Sequence, residues 1–401
     1  MKLDRLGALA QPTDRKVLLF VLDGLGGLPM RPGGLTALEA ATTPHLDELA
    51  RAGTCGLHEP VGPGITPGSG PGHLALFGYD PLVYETGRGV LEALGIEFPL
   101  ESTDIAIRAN FCTLDGSGRV SDRRAGRIST EEALPLAERL DSIEMAGASC
   151  FVRHVREHRF VIVIRPDEPV AADVDDTDPG RTGEPPVDPH PRNEASAVAA
   201  DLMRSWLGHA GEVLADQPVA NMVLLRGASS RPAWPLFRDV FGMRASATAA
   251  YPMYRGVASL IGMQATAVPD GAANLVPAYR ELVTDFDFSF LHFKSPDKAG
   301  EDGDFDRKVA VIEEADAIVP ELMASGPDVT IVTGDHSTPA LLRNHSWHPV
   351  PFLIHGGPAR ADAADNFGET ACRTGTHGLR RGCELMPLAT ARAGRFAKYG
   401  A

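Results

Sequence analysis

Residues 16–23 read KVLLFVLD. An unbroken apolar run, rather than an alternating one, is the pattern of a short strand buried on both faces, as in parallel sheets covered by helices. The run ends in Asp23 and a glycine-rich stretch. That places a carboxylate at the carboxyl end of a strand, where open α/β sheets collect their ligands. Three more runs repeat the pattern. Residues 286–293 (FDFSFLHF) lead to Lys294 and Asp297, residues 329–332 (VTIV) lead to Gly334, Asp335 and His336, and residues 350–354 follow directly on His345 and His348. Helical patterns lie between them. Residues 43–52 open with a threonine at the N-cap and a proline in the first turn, and residues 306–324 carry apolar side chains at helical spacing. Strands alternating with helices predict a layered α/β fold.

At 401 residues the chain exceeds one ordinary compact core, which predicts two domains. The positions suited to chemistry fall in two blocks, 23–73 and 294–348. This predicts a core domain of residues 1–84 and 276–401, interrupted by a smaller inserted α+β domain of residues 85–275. The insertion has its own strand patterns at 160–164 and 222–225, and its Asp- and Pro-rich stretch 173–192 reads as a surface excursion rather than a linker. Hydrophobic content of 43% and charged content of 23% are those of a soluble globular protein. No stretch approaches the roughly 20 apolar residues of a membrane span. Residues 1–15 mix charges without an apolar centre, unlike a signal peptide. The net charge of −15 argues against a nucleic-acid partner but not against an anionic small molecule, since clustered arginines or bound metal ions reverse the field locally. Cys55, Cys112, Cys150, Cys372 and Cys383 are scattered and odd in number, which predicts free thiols in a reducing cytoplasm. The sequence sets no oligomeric state.

Asp23, Asp297, Asp335, His336 and His348 are hard or borderline metal ligands at predicted strand ends or in loops. The glycine before Asp335 and His336 lets both side chains face one ion, and a DxxxE string at 297–301 and HSWH at 345–348 add donors. Two ions about 3.5–4 Å apart clamp the attacking and leaving oxygens of a phosphoryl displacement. Carboxylate, imidazole and hydroxyl donors suit Mn²⁺, Zn²⁺ or Mg²⁺. Residues 62–73, GPGITPGSGPGH, are mostly glycine and proline and contain a single serine, Ser69. Such a loop presents one hydroxyl on a tight turn beside backbone N–H groups, and coordination to a metal activates an otherwise weak serine nucleophile.

These motifs resemble the alkaline phosphatase superfamily and, within it, the archaeal-type cofactor-independent (2,3-bisphosphoglycerate-independent) phosphoglycerate mutases. The resemblance runs through FVLDGLGGLP, TALEAATTPHLDELARAG at 36–53, PGSGPGHLALFGYDP at 67–81, GRGVLEALG at 87–95, RANFCTLD at 108–115 and DRRAGRIS at 122–129. It continues in KSPDKAGEDGDFDRKVAVIE at 294–313, GDHSTP at 334–339, HPVPFLI at 348–354 and the terminal KYGA. It implies a phosphatase-like α/β core sheet with flanking helices and an inserted α+β transferase domain. It implies interconversion of 2-phosphoglycerate and 3-phosphoglycerate through a phosphoserine at Ser69, with no 2,3-bisphosphoglycerate cofactor. One metal would be held by Asp23, Ser69, Asp335 and His336, the other by Asp297, position 301 and His348. Relatives often carry histidine at 301 within a HDGD-like string. Glu301 keeps the spacing and supplies a harder donor, which favours Mg²⁺ or Mn²⁺ over Zn²⁺. Many relatives also follow the nucleophile with aspartate, where this chain has Gly70.

A mutase must grip phosphate and carboxylate while the phosphoryl group is away, and arginine forks suit both anions. Arg123, Arg124 and Arg127, with Asp122 to orient hydroxyls, and Arg226 are the expected substrate groups in the insertion. Lys294 is expected at the transferring phosphoryl group. His73 either approaches that group or caps the helix after the loop. A phosphatase or phosphonate hydrolase with the same metals is the alternative, and a non-catalytic metal-binding scaffold a more distant one.

Overall fold

The computed structural model describes residues 2–400; Met1 and Ala401, which end the first and last stretches considered above, lie outside them. The chain divides into two compact units, residues 1–85 with 234–401, and residues 86–233. In chain order the strands are β1 (Val17–Leu22), β2 (Thr54–Glu59), β3 (Ile105–Leu114), β4 (Val120–Asp122), β5 (Ala148–Arg156), β6 (Arg159–Pro166) and β7 (Met222–Ser229). They continue with β8 (Ala245–Ala249), β9 (Gln264–Ala267), β10 (Phe288–Phe293), β11 (Val329–Thr333), β12 (Val350–Gly356) and β13 (Leu379–Arg381).

The first unit is α/β. Its sheet runs β13-β2-β12-β11-β1-β10-β8-β9. Every residue of β1 is buried, as its unbroken apolar run requires. β1 lies between two parallel partners, with Leu22 opposite Phe293 of β10 and Val21 opposite Thr333 of β11. β12 is antiparallel to β11, Phe352 facing Thr333, so it begins where β11 stops. β2 is antiparallel to β12 and therefore ends at that same edge. The loops after β1, β2, β10 and β11 and the loop before β12 thus meet along one edge. Leu18, Phe20 and Leu22 pack beneath it against Leu46 and Leu49 of helix Pro44–Ala52 and Val311, Ile312 and Ala315 of helix Phe305–Ala324. Each of the leucine, phenylalanine, valine and isoleucine side chains contributes about 1.5–3 kcal/mol on burial. Thr43 makes no capping bond to its helix. The N–H groups of His45 and Leu46 go instead to the Asp316 carboxylate, at 3.1 and 2.8 Å.

The second unit is α+β. Its antiparallel sheet has β3 between β6 and β7, β5 beyond β6, and β4 on the end of β3. Ile105, Ile107, Ala109 and Phe111 alternate along β3 onto one face, where Leu136 and Leu140 of helix Thr130–Asp141 and Met203 and Trp206 of helix Ala197–Val213 cover them. The excursion 173–192 closes on itself, Arg192 N–H donating to the Asp173 carbonyl at 2.9 Å. It is tied to β7, since Thr177 Oγ1 accepts the Leu225 N–H and Asp176 the Gly227 N–H.

The boundary expected at residue 275 is corrected: the inserted unit ends at Ala233, because β8 and β9 belong to the first sheet. β8 reads ASATA. Small side chains carry little apolar signal, yet β8 is wholly buried and pairs with β10, Ala245 opposite Phe288.

Candidate active site

Ser69 is the first residue of helix Ser69–Leu76, which follows β2 at the shared edge. The helix comes so near the loop after β11 that a Cβ on Gly72 would lie 2.5 Å from the Asp335 carbonyl oxygen. Only glycine permits that approach. Ser69 is buried, with Oγ 3.2 Å from His336 Nε2. One turn later His73 has no exposed surface. Its Nδ1 stands 2.7 Å from the Ser69 carbonyl oxygen and 3.2 Å from Asp335 Oδ2, and its ring packs among Tyr254, Phe290 and His292. Of the two roles open to His73, these contacts support the one within the nucleophile's helix, with the ring lying beneath it beside Asp335.

Two groups of ligand atoms converge among the described residues: Asp23 with Asp335 and His336, and Asp297 with His336 and His345. Thr338 decides how they divide. Its hydroxyl lies 2.6 Å from Asp297 Oδ1 and 3.0 Å from His336 Nδ1. One hydroxyl proton goes to the carboxylate, so the oxygen accepts from Nδ1–H, and the lone pair of Nε2 faces Ser69, Asp23 and Asp335. His336 therefore belongs with Asp23 and Asp335. Burial outweighs the neighbouring carboxylates and holds the His336 imidazole below its usual pKa, the neutral form a metal needs. Asp23 Oδ1 and Asp335 Oδ2 are buried without a hydrogen-bond partner. Orphaned carboxylate oxygens beside a neutral imidazole are costly unless a cation completes them, so the donor set fits divalent metal.

The second group departs from expectation. His345, not His348, is brought to Asp297. His345 Nδ1 is 3.0 Å from the Pro67 carbonyl, which fixes that nitrogen as the donor. Nε2 faces Asp297 Oδ1 at 3.4 Å and Glu301 Oε1 at 3.8 Å, and the ring stacks on His336 at 3.7 Å. His348 turns to Ser346, Nδ1 to Oγ 3.1 Å, and stacks on Trp347. Both rings occur in HSWH, and side-chain direction within a loop is not written in spacing. Glu301 is exposed at the rim, its carboxyl pushed up by burial and Asp297.

Lys294 Nζ lies 2.5 Å from Asp297 Oδ2 and 3.2 Å from Asp23 Oδ2. Burial would lower its pKa, but Asp23, Tyr254 and Asp297 outweigh burial and keep the ammonium charged. Burial likewise opposes ionisation of Asp23, yet Lys294, His292 and His336 hold its carboxyl well below the usual range. Three residues absent from the sequence reading complete the site. His292 Nε2 is 2.9 Å from Asp23 Oδ2, Thr338 sets the His336 tautomer as above, and Lys308 Nζ reaches three backbone carbonyls. The histidine inside FDFSFLHF, a polar residue in an otherwise apolar strand, was a readable signal for the first.

In the second unit, Asp122 accepts the N–H groups of Arg124 and Gly126, at 2.7 and 2.9 Å. It braces its own turn, and each oxygen keeps a lone pair beyond that bond. Arg123 forks onto Asp178 at 2.8 and 2.9 Å, and Arg226 lies 3.7 Å from the same carboxylate and 3.5 Å from Asp176. Arg123 thereby ties down the excursion, and Arg226 stands beside it partly exposed. Arg124 and Arg127 are exposed, on a turn in which Ala125, Gly126 and Arg127 all have positive φ. Consecutive left-handed residues are strained, and strain gathers at functional sites. Burial and the charges of Arg159, Arg124, Arg108 and Arg127 push His158 down to about 4, so a basic cluster forms here from residues far apart in sequence.

An α/β core that gathers a buried serine and candidate metal-ligand groups at the carboxyl ends of its strands has the arrangement of an enzyme of the α/β class. Residues 50–220 match the family model described as 2,3-bisphosphoglycerate-independent phosphoglycerate mutase. The chain is 48% identical over 403 residues to a probable mutase of that name from Thermus thermophilus, covering 99% of this chain and 98% of the relative. A Deinococcus radiodurans protein of the same name is 46% identical over 406 residues, covering 100% and 99%. Among solved structures, the PH0037 protein of Pyrococcus horikoshii is 32% identical with a TM-score of 0.83, covering 96% of this chain and 99% of that one. The cofactor-independent phosphoglycerate mutase of Thermoplasma acidophilum is 29% identical with a TM-score of 0.71, covering 95% and 100%. The chain belongs to the 2,3-bisphosphoglycerate-independent phosphoglycerate mutase family.

Proposed function

We propose that this protein interconverts 2-phosphoglycerate and 3-phosphoglycerate by way of a phosphoserine at Ser69. The observation that carries the reading is Ser69 Oγ, buried at a helix N-terminus 3.2 Å from His336 Nε2, beside the unpaired oxygens of Asp23 and Asp335. Asp23, Ser69, Asp335 and His336 would hold one divalent ion, and Asp297 and His345, with Glu301 at the rim, the other. The oxygen-rich set favours Mn²⁺ or Mg²⁺, and Zn²⁺ is admitted by the same donors. When bound, the ions supply the positive charge that favours the serine alkoxide and neutralises phosphoryl oxygens.

Ser69 Oγ forms the new bond to phosphorus as the P–O bond to one glycerate hydroxyl breaks. The phosphoryl group then passes from Ser69 to the other hydroxyl, and no water is consumed. Lys294, held as ammonium by Asp23 and Asp297, meets the charge on the transferring group. Because Ser69 stores the phosphoryl group, 2,3-bisphosphoglycerate has no part in the cycle. Arg124 and Arg127 bind the anionic glycerate. A phosphoglycerate substrate fits a cytoplasmic enzyme of glycolysis and gluconeogenesis. Among the described residues no helix is long and apolar enough to cross a membrane.

The test is intact-protein mass spectrometry after addition of 3-phosphoglycerate and Mn²⁺, with digestion to locate the phosphate. Phosphoserine at Ser69 and appearance of 2-phosphoglycerate are expected. Ser69→Ala removes the modification and lowers turnover by more than roughly 10³-fold. Inorganic phosphate released faster than 2-phosphoglycerate would make the protein a hydrolase instead.

A further inference from the structure

Lys308 lies on helix Phe305–Ala324 with no exposed surface. Its Nζ donates to the carbonyls of Gly24 at 2.8 Å, Gly26 at 3.0 Å and Thr338 at 2.8 Å. An ammonium has three protons, so all are used, and among the described residues no carboxylate bonds to it. Burying a charge whose protons all go to neutral dipoles is expensive even with carboxylates in its field, which makes a purely space-filling role a poor account of it. The three carbonyls come from two loops. One follows β1 and bears Asp23; the other follows β11 and bears Asp335, His336 and Thr338. The loops also meet directly, Thr338 N–H donating to the Gly26 carbonyl at 3.0 Å. They have no slack: a Cβ on Gly24 would lie 2.8 Å from Asp297 Cβ, and one on Gly26 2.0 Å from Ser337 Oγ. Beyond them Glu369 accepts the Gly27 N–H at 3.0 Å and the Thr36 hydroxyl at 2.6 Å, anchoring the far end of the first loop.

We propose that Lys308 is a positioning residue for the phosphoryl transfer, locking the Asp23 loop and the Asp335–His336 loop in the register that turns their donors toward one metal ion. The inference rests on the metal-site reading above. The sign of one measurement separates it from a simple charge effect. Lys308 lies in the field of Glu369, and also of the site carboxylates Asp297 and Asp23. Removing a positive charge near those acids would by itself tighten cation binding, whereas loss of register weakens it.

The experiment is Mn²⁺ titration of the full chain, followed by the electron paramagnetic resonance of free Mn²⁺, with kcat and KM measured alongside. Lys308→Met is expected to bind Mn²⁺ about 10-fold or more weakly and to lose kcat rather than KM, with the metal-free protein still unfolding cooperatively. Lys308→Gln, which keeps two N–H donors, is expected to fall between. Mn²⁺ binding as tight as, or tighter than, that of the unsubstituted protein overturns the proposal. Failure of both variants to fold also overturns it, because Lys308 would then support the fold as a whole. If the unsubstituted protein bound no Mn²⁺, the metal-site reading itself would fall.

Discussion

His345 has one ring nitrogen committed to the Pro67 carbonyl and the other turned to Asp297 and Glu301. That is how a metal-binding histidine is held: its second nitrogen is oriented by a neighbour, and the first is aimed. His348, three residues on, also has one ring nitrogen held, by the Ser346 hydroxyl at 3.1 Å, but its ring stacks on Trp347 and is not brought to Asp297. His345→Ala should therefore reduce bound Mn²⁺ from two ions to one per chain by elemental analysis and cut turnover about 100-fold, while His348→Ala should keep both ions. The reverse pattern would restore His348 as the ligand. Burial would lower the His345 imidazole, but Asp297 holds it up at about 9, so a cation at Nε2 would have to displace that proton. Residue types at Asp23, Ser69, Lys294, Asp297, Asp335 and His336 were legible because each follows an apolar run or sits in an unusual loop. The choice between two histidines in one tetrapeptide was not, because ring direction depends on Pro67, a partner 278 residues away.

Among the elements, β2 and β11 are not hydrogen-bonded neighbours, yet they are joined by a side chain. His58 of β2 is buried, with Nε2 3.0 Å from Thr333 Oγ1 and 3.1 Å from the Gly334 carbonyl. Burial pushes its pKa from 6.5 down to about 4. The unfolded chain then binds more protons than the folded one between those values. Stability from the neutral imidazole is present above pH 6.5 and is lost as pH falls toward 4, by up to about 3 kcal/mol. Glu369, pushed up to about 7 by burial, acts in the opposite direction over pH 4.5–7. A comparison of variants removes that term. His58→Gln keeps an N–H donor and should lose about 2–3 kcal/mol less than the parent between pH 7 and 4.5, read from urea unfolding. Parallel pH dependence in the two proteins would rule His58 out. The runs forming β1, β10, β11 and β12 were legible from their bulky apolar side chains. β8 and β9 were not: the alanine, serine and threonine of β8 bury well inside the sheet without announcing it, and β9 is a short, half-exposed edge strand.

For the molecule as a whole, each unit has its own hydrophobic core, built around Leu18, Phe20 and Leu22 in one and Phe111, Phe160 and Trp206 in the other. A core of its own is what lets a segment fold alone. Residues 86–233 expressed by themselves should show β-rich circular dichroism and one cooperative urea transition. A featureless, non-cooperative unfolding curve would mean the segment depends on the rest of the chain. Residues 85–275, the span expected from sequence, should be less soluble, because β8 and β9 would be torn from their sheet and the buried faces of β8 exposed. The sequence by itself determined that this is an α/β protein with an interrupted core, acids and imidazoles at strand ends, and a serine on a glycine-rich loop. Those features are local, written in runs of side chains and the residues that end them. The tertiary structure alone decided that His345 faces Asp297, that His73 lies beneath the Ser69 helix and Lys308 beneath the two loops, that Asp122 holds its own turn and Arg123 the excursion, and where the insertion stops. Each of these depends on which atoms meet across long stretches of chain, and that is set by strand pairing and packing rather than by the spacing of residues.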